Sequence, residues 1–477
     1  MKSARSLGWV GLAWLVMLVG VVAAAKAEAP SSPGPRGVVQ VDLPEPSGGS
    51  LGSAMAGDRL SAPDPNVEQA AFRPCLKCRR RPCPPGTHEA APEAEAARPG
   101  QEPGVGPTEP KPGAVAPEGA AAPPWALASE IGAAGGPASA APHMIGDFFG
   151  GGSRFTGFNR LSGITNATVG AAGGDRRFKI VESNSPIPQD RLFFNFHHFV
   201  NPLVDVDNQP RDLNRYTFGV EKTLFGTGLT SVELRVPFTS GYDASQGFES
   251  NGSLAGTEFG NFSLAFKQIF FCREHFRASM GLGLVFPTGR DWKIQATDPQ
   301  SDSLEPVTFL QFENDAVHLQ PFLGALWQPN DRLFFQAFTQ WDLDPAGSKV
   351  YMRDQGALQR VGVFQEQNLW YLDFNVGYWL YRNPCARWIK GMAPVVELHY
   401  ATTMQDEDFV IGPQGFVGAP NSQRTVFGRR DLLNLTAGLH FQLGDCSTLT
   451  VAGVAPLRND TDREQDAEVT IQFNRRF

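Results

Sequence analysis

The residues of this 477-residue chain with the clearest chemical potential are its six cysteines. Three of them, Cys75, Cys78 and Cys83, surround a basic run in the stretch "CLKCRRRPCPPG". A structural zinc site needs a fourth ligand, which only His88 offers nearby, and haem attachment needs a histidine where Arg79 stands. The spacing therefore favours a disulfide or an intermolecular link over a metal site.

The other three cysteines lie in short connections between segments of alternating polarity. Cys272, Cys385 and Cys446 fall in "FCRE", "NPCAR" and "GDC", respectively. Pairing is favoured if the chain is exported to an oxidising compartment. Neighbouring hairpin turns lie about 10 Å apart, which exceeds the usual Cα separation of a disulfide, so a bridge between Cys385 and Cys446 stays an open alternative.

Charged side chains that recur at every second position of apolar segments form the larger chemical constellation. At this spacing they share one face of an extended strand, where they could pair with one another or line an aqueous path. The candidate lining residues are Arg215, Glu221, Glu233, Arg235, Lys267, Arg277, Arg332, Asp373, Glu397 and His399, with Glu468 and Arg476 on the same parity. Three phenylalanines share that parity and could narrow the path: Phe322, Phe334 and Phe338.

Twelve segments with a period of two must position these residues. Their connections alternate strictly between three to five residues and much longer stretches, which is typical of an outer-membrane barrel. A closed barrel also explains why the chain ends in the alternating stretch "EVTIQFNRRF", since pairing with the first strand would leave no open edge. The predicted strands are 192–200, 213–224, 229–238, 258–270, 275–286, 315–328, 331–342, 370–382, 388–400, 431–443, 447–455 and 467–477.

The sequence thus predicts an all-β fold, a closed antiparallel transmembrane β-barrel of about twelve strands. Trp327, Trp341, Trp370, Trp388 and Tyr400 gather at strand ends, as in interfacial girdles. A soluble sandwich would show the same alternation, but it needs no asymmetry of connections and usually has fewer strands.

The end of the chain resembles bacterial outer-membrane β-barrel proteins, whose last strand typically ends in phenylalanine. The resemblance implies that Phe473 and Phe477 form the signal read by the barrel assembly machinery. The stretch "VFPTGRDW", residues 285–292, is similar to the barrels of the MetA-pathway phenol-degradation family. That resemblance implies passage of small, often hydrophobic compounds and no catalytic residue.

Four zones precede or form this barrel. Residues 1–29 read as a signal peptide, with a membrane anchor as the alternative, and 30–142 as a disordered periplasmic arm rich in Pro, Ala and Gly. Residues 143–191 read as a Gly-rich plug or docking segment whose phenylalanines need cover, with a mobile linker as the alternative, and 192–477 as the barrel. The net charge of −8 gives no reason to expect a nucleic-acid partner.

The functional expectation is a narrow outer-membrane channel or transporter for small solutes, with outer-membrane lipid and the assembly machinery as partners. A non-conducting structural barrel is the first alternative. A lipid-modifying enzyme is the second, because His198 lies on the outward parity, although the chain has no His-x-Ser-Asn-Gly motif, nucleophile elbow, His-Glu-x-x-His or P-loop pattern. No enzyme activity, cofactor or metal is predicted.

The short turn "FGTG" allows a prediction of which residues face each other on the two strands that it joins. Its register places Glu221 opposite Glu233 and Gly219 opposite Arg235. Facing carboxylates repel unless a cation lies between them or one is protonated. The sequence predicts an ion-pair ladder here, with Arg235 bridging diagonally and Arg215 farther along the wall.

Overall fold

The computed structural model describes residues 141–147, 153–159, 163–169, 177–204, 209–241, 245–247, 257–297, 306–406, 408–413, 415–418, 429–459 and 462–477. The expected signal peptide, most of the expected arm, and Cys75, Cys78 and Cys83 lie outside these residues. Within the described part of the chain, no helix is long and apolar enough to cross a membrane.

The described residues form the following strands in chain order: β1 (Ser153–Asn159), β2 (Gly163–Val169), β3 (Arg191–Val204), β4 (Pro210–Leu224), β5 (Thr230–Ser240), β6 (Ser245–Gly247), β7 (Thr257–Phe259), β8 (Ser263–Cys272), β9 (Phe276–Val285), β10 (Trp292–Thr297), β11 (Pro306–Phe312), β12 (His318–Trp327), β13 (Leu333–Asp342), β14 (Ser348–Asp354), β15 (Ala357–Phe364), β16 (Leu369–Tyr378), β17 (Tyr381–Arg382), β18 (Ile389–Thr403), β19 (Phe409–Gly412), β20 (Gly415–Gly418), β21 (Asp431–Leu443), β22 (Ser447–Pro456) and β23 (Ala467–Arg476).

Twelve of these strands close into one antiparallel transmembrane barrel, in the order β3-β4-β5-β8-β9-β12-β13-β16-β18-β21-β22-β23. The last strand returns to the first, with Ile471 opposite Phe196 and Arg476 opposite Arg191. The predicted fold class is confirmed, and so is the pairing that removes the open edge.

The observed barrel strands follow the predicted segments closely, with two differences. The segment predicted as 370–382 is divided into β16 and the short β17, both of which pair with β18. The segment predicted from residue 258 begins with the separate strand β7, and the barrel strand β8 starts only at Ser263. Both differences lie at the ends of barrel strands, where alternation alone gives little information on where pairing stops.

An apolar belt covers the outer surface of the barrel. In β23, Val469, Ile471 and Phe473 are exposed, whereas the intervening Thr470 and Gln472 are buried inside. Phe218, Leu323, Phe374 and Leu439 extend the exposed belt around the ring. A surface of this kind matches a hydrocarbon environment rather than water.

The two ends of the barrel differ, and we call them the turn end and the loop end. The turn end carries the short connections at 225–229, 273–275, 328–332, 379–388 and 444–446, and the loop end carries the long ones. Trp327 and Trp388 are exposed at the turn end, and Trp370 stacks edge-on against Tyr400 near the loop end at 6.4 Å. Aromatic residues therefore mark both rims.

Inward phenylalanine rings pack closely against glycines of the neighbouring strand. A Cβ added at Gly219 would lie 2.0 Å from the Phe193 ring, and one added at Gly377 would lie 2.1 Å from the Phe334 ring. Any other residue at these positions would force the phenylalanine ring to move. The wall is thus a packed layer as well as a charged one.

The long connections at the loop end fold into a lid with its own core. One sheet has the order β15-β14-β11-β10-β6 and a second has the order β19-β20-β1-β2. Fully buried residues of the lid pack against the loop ends of β3 and β4; the cluster includes Trp292, Leu310, Val350, Met352, Phe199 and Leu213. The sequence predicted loops here and missed these strands.

A lysine with two carboxylate partners lies on the exposed side of this lid. The Lys349 ammonium contacts Asp315 Oδ2 at 2.6 Å and Glu313 Oε2 at 3.0 Å. These two hydrogen bonds, the one to Asp315 first, raise the pKa of Lys349 above its ordinary value. The lysine therefore stays charged and links β14 to the residues that follow β11.

The three cysteines predicted in turns do not share one state, and Cys272 is the last residue of β8 rather than part of a turn. Cys385 and Cys446 are both disulfide-bonded, whereas Cys272 is a free thiol of intermediate exposure. Both cysteines that lie in turns are therefore oxidised, in agreement with the expected oxidising compartment.

Candidate functional site: the plugged lumen

The interior of the barrel is occupied by two segments of the chain upstream of β3, the second of which contains a turn at residues 180–183. The first, residues 141–147, rises from the turn end, where His143 lies near Gln442 and Arg476. The second, residues 177–190, returns from the loop end and leads directly into β3. We call them the ascending leg and the descending leg, and together the plug.

Strands β1 and β2 lie between the two legs and connect the plug to the lid. β1 pairs with β20, with Phe155 opposite Val417 and Gly157 opposite Gly415. The plug is consequently held at the loop end by backbone hydrogen bonds and inside the barrel by side chains.

The ascending leg is held by one carboxylate of the wall. Glu397 of β18 accepts hydrogen bonds from the backbone N–H of Ile145 at 2.9 and 3.0 Å and from that of Gly146 at 3.0 Å. Asn375 of β16 donates to the same carboxylate at 2.5 Å. Hydrogen bonds to a charged group are worth about 1.5–3 kcal/mol each, so Glu397 is a strong polar anchor of this leg.

The two legs also hold each other. Met144 N–H donates to the Asn184 carbonyl at 2.7 Å, and Ser183 N–H donates to the Ile145 carbonyl at 3.3 Å. Apolar residues of both legs contact inward residues of the wall: Ile145 packs in a cluster with Phe334, Trp379 and Val395, and Phe178 and Ile180 pack in another with Phe322 and Phe338. Phe178 therefore has the cover that its aromatic ring requires.

A ladder of buried charges runs along the wall beside the descending leg. Glu221 and Glu233 lie directly opposite one another, as predicted from the hairpin register. Arg191 lies between them: its Nε donates to Glu221 Oε2 and its Nη2 donates to Glu233 Oε2, both at 2.7 Å. A buried cation between the two carboxylates removes the repulsion that their register would cause.

Two further cations extend the ladder and connect it to the plug. Arg235 Nε contacts Glu233 Oε1 at 2.6 Å, and its guanidinium also donates to the carbonyls of Lys179 and Ile180. Lys267 contacts Glu221 Oε1 at 3.0 Å and donates to Asn184 Oδ1 at 2.7 Å. The ladder thus balances the wall and binds the descending leg at the same time.

A second cluster lies nearer the loop end and combines groups of both legs with the wall. Lys179 Nζ is 2.7 Å from Asp147 Oδ1 and 2.6 Å from Asp373 Oδ1. His399 Nδ1 lies 2.8 Å from Asp373 Oδ1 and 3.3 Å from Asp147 Oδ1. One ammonium therefore joins the descending leg, the ascending leg and β16.

Two additional buried pairs belong to the polar interior. Arg215 of β4 pairs with Glu182 of the descending leg. His197 Nδ1 lies 2.6 Å from Glu468 Oε1 across the closing pair of strands β3 and β23. The wall therefore presents charge of both signs around most of its circumference.

The structure encloses eight of the ten predicted lining residues. Those buried in the interior are Arg215, Glu221, Glu233, Arg235, Lys267, Asp373, Glu397 and His399. Arg277 faces inward opposite Leu326 but is only half-buried. Arg332 is exposed in the turn before β13 and does not line the enclosed part, because the strand starts only at Leu333.

The interior residues that the sequence analysis missed belong mostly to the plug or to a strand end, with His197 in the middle of β3 as an exception. Arg191 is the first residue of β3, one position before the predicted strand. Asp147, Lys179 and Glu182 lie in a segment without alternating polarity. Their charge within a glycine-rich stretch is the one sequence signal that could have identified them.

The two predicted assembly residues lie on the outside. Phe473 and Phe477 are 38% and 39% exposed, which leaves both rings accessible from the membrane side. The Lys222 ammonium lies 5.1 Å from the centre of the Phe477 ring.

Comparison with known proteins gives no family. No family model and no curated protein matches this chain. Among solved structures, an outer-membrane channel from Pseudomonas putida F1 is similar with a TM-score of 0.36 and 8% identity, over 61% of this chain and 96% of that one.

Two further structures have the same degree of similarity. The beta domain of the Bordetella autotransporter BrkA has a TM-score of 0.35 and 12% identity, over 61% of this chain and all of that one (100%). The Pseudomonas putida toluene transporter TodX has a TM-score of 0.31 and 10% identity, over 64% and 96%. Likeness at this level adds nothing to the barrel that the strand register itself shows.

Proposed function

We propose that this protein is an outer-membrane channel for small solutes that its own plug holds closed. The observation that carries the proposal is the way the wall charges are satisfied. Glu397, Asp373, Lys267 and Arg235 each bind a group of the plug as well as neighbouring wall residues. A wall of this composition is compatible with water once the plug leaves, so the same residues support a closed and an open state.

The location and the partners belong to the same proposal. The exposed apolar belt and the two aromatic rims suit a bilayer, and a barrel of this kind belongs in the outer membrane of a bacterium with its turn end in the periplasm. Outer-membrane lipid would cover the belt, and the assembly machinery would recognise Phe473 and Phe477. We do not name a solute.

A non-conducting structural barrel is the competing proposal. It is favoured by the apolar contacts of the plug, since Phe178, Ile145 and Ile180 are buried as in a permanent core. The enzyme alternative depended on His198, whose Nδ1 lies 2.8 Å from Asn214 Oδ1, an amide group rather than a serine hydroxyl. We therefore do not propose catalysis.

Deletion of residues 141–190 tests the channel directly. In planar lipid bilayers the wild-type protein should be closed for most of the time, and the deleted protein should show stable single-channel conductance, because water and ions then occupy the charged lumen. Deletion of residues 31–140 keeps both legs and serves as the control, with conductance like that of the wild type. A plug-deleted barrel that folds and stays closed would support the structural barrel instead.

Ion preference should depend on the ladder. In the plug-deleted background, Glu221→Gln combined with Glu233→Gln leaves Arg191, Arg235 and Lys267 without carboxylate partners, so the reversal potential in a salt gradient should shift toward anion preference. Ser231→Ala removes a hydroxyl that donates to Glu221 at 2.7 Å without changing charge, and it should leave the reversal potential unchanged. An unchanged potential in the double variant would place the ladder outside the conducting path.

A further inference from the structure

The cluster around Lys179 has the composition and spacing of a metal site. One oxygen each of Asp147 and Asp373 and the Nδ1 of His399 all lie within 4.8 Å of one another. Two carboxylates and one imidazole form a donor set that suits divalent transition metal ions. All three residues are buried, and the position that a cation would take is held by the Lys179 ammonium at 2.6 and 2.7 Å.

Two of the three distances between the donor atoms agree with coordination. Two ligands bound at about 2.0–2.2 Å, with angles between octahedral and tetrahedral values, lie about 2.8–3.6 Å apart. His399 Nδ1 is 2.8 Å from Asp373 Oδ1 and 3.3 Å from Asp147 Oδ1. The two carboxylate oxygens lie within 4.8 Å of one another, and a bound ion would replace the hydrogen bond between His399 Nδ1 and Asp373.

A second observation concerns the other ring nitrogen of the histidine. His399 Nε2 lies 3.1 Å from Glu397 Oε2, which is within ion-pair distance but without hydrogen-bond geometry. In histidines that bind metals the second nitrogen usually faces a carboxylate or carbonyl, and Glu397 stands at that position for His399. Glu397 is in turn fixed by the backbone N–H groups of Ile145 and Gly146.

The two aspartates differ in the hydrogen bonding of their second carboxylate oxygen, Oδ2. Asn434 Nδ2 donates to Asp147 Oδ2 at 2.8 Å, which orients that carboxylate. Asp373 Oδ2 is buried and has no hydrogen-bond partner in the described part of the chain. A buried carboxylate oxygen without a partner is costly, and a bound ion would relieve that cost by taking the carboxylate through both oxygens.

We propose that Asp147, Asp373 and His399 form a divalent metal site that Lys179 fills in the closed plug, and that a transition metal ion replaces the ammonium when the descending leg moves. The ammonium neutralises one of three carboxylates, those of Asp147, Asp373 and Glu397, and a divalent ion neutralises two. Metal binding at this site does not require that the barrel conducts. The further idea that metal binding opens the channel by releasing the descending leg rests on the function proposed above.

Cobalt(II) titration of full-length variants in detergent tests the site, with the visible absorption of bound Co²⁺ as the readout. Lys179→Ala should bind one equivalent, whereas Lys179→Arg, which keeps a cation in the cluster, should not. Adding His399→Gln to Lys179→Ala removes a direct nitrogen ligand, so it should weaken binding at least as much as the loss of an outer-shell partner does, which is about 10–100-fold. Absence of stoichiometric binding by a folded Lys179→Ala protein, or equal affinity in the double variant, would overturn the proposal.

The wild-type protein gives a second test that does not depend on a variant folding. Lys179 is fully buried, so its acetylation by a water-soluble reagent, read by mass spectrometry, should be slow. Zn²⁺ should accelerate this acetylation if the ion displaces the ammonium, and an unchanged rate would contradict the exchange. Both readouts are independent of conductance, so a barrel that never conducts and a site that never binds metal give different results.

Discussion

Arg191→Met should lower the free energy of unfolding of the barrel by about 3–5 kcal/mol, the cost of removing one partner from a buried ion pair. The guanidinium contacts both Glu221 and Glu233 at 2.7 Å and also donates to Asn474 Oδ1 at 2.6 Å. It lies 4.4 Å from the centre of the Phe193 ring. Methionine has a similar volume, so the change removes charge without opening a large cavity.

The measurement is a urea titration of the barrel in lipid vesicles, followed by tryptophan fluorescence. Lys222→Met is the matched control: its ammonium pairs with Asp190 at 2.9 Å but is 57% exposed, so the loss should be about 0–1 kcal/mol. Similar losses for both variants would show that Lys267 and Arg235 alone neutralise the two glutamates and that Arg191 is not the central cation.

Gly146→Ala should release the ascending leg. Gly146 has a φ of +85°, and a Cβ there would lie 2.8 Å from Glu182 Cγ and 2.9 Å from Glu182 Cα, so backbone as well as side chain obstructs it. The leg must move away from the descending leg, which stretches the hydrogen bond from Gly146 N–H to Glu397. Hydrogen exchange of residues 141–147 should therefore accelerate about tenfold or more, which corresponds to about 1.4 kcal/mol.

Gly226→Ala is the control for the backbone strain of alanine at a positive φ, because it adds that strain without a steric clash. Gly226 also has a positive φ, +64°, but it lies in the turn between β4 and β5 with nothing within 4 Å of an added Cβ. This variant has the backbone cost of a positive φ, about 1–3 kcal/mol, without touching the plug. Exchange in residues 141–147 should stay as in the wild type, and an equal acceleration in both variants would rule out release through crowding at Glu182.

The alternation of polarity along the sequence and the lengths of the turns were enough to predict the wall of the barrel. Because side chains alternate strictly along a strand, a correct strand assignment fixes which residues face inward, and the turn length then fixes which residues face each other. This is why Glu221 and Glu233 were placed opposite one another from the sequence, and why Phe322, Phe334 and Phe338 were placed on the inner face. The closing role of the last strand followed in the same way from its alternation.

Only the tertiary structure decided what fills the barrel and what covers it. Arg191 lies at a strand end, where alternation gives no boundary, and the Asp147–Lys179 pair joins two aperiodic legs that meet only inside the finished ring. In the lid, β1 pairs with β20, more than two hundred residues away along the chain. Pairing of such short strands depends on the position of other loops rather than on their own sequence, whereas the long barrel strands each have enough alternating residues to specify their inward face alone.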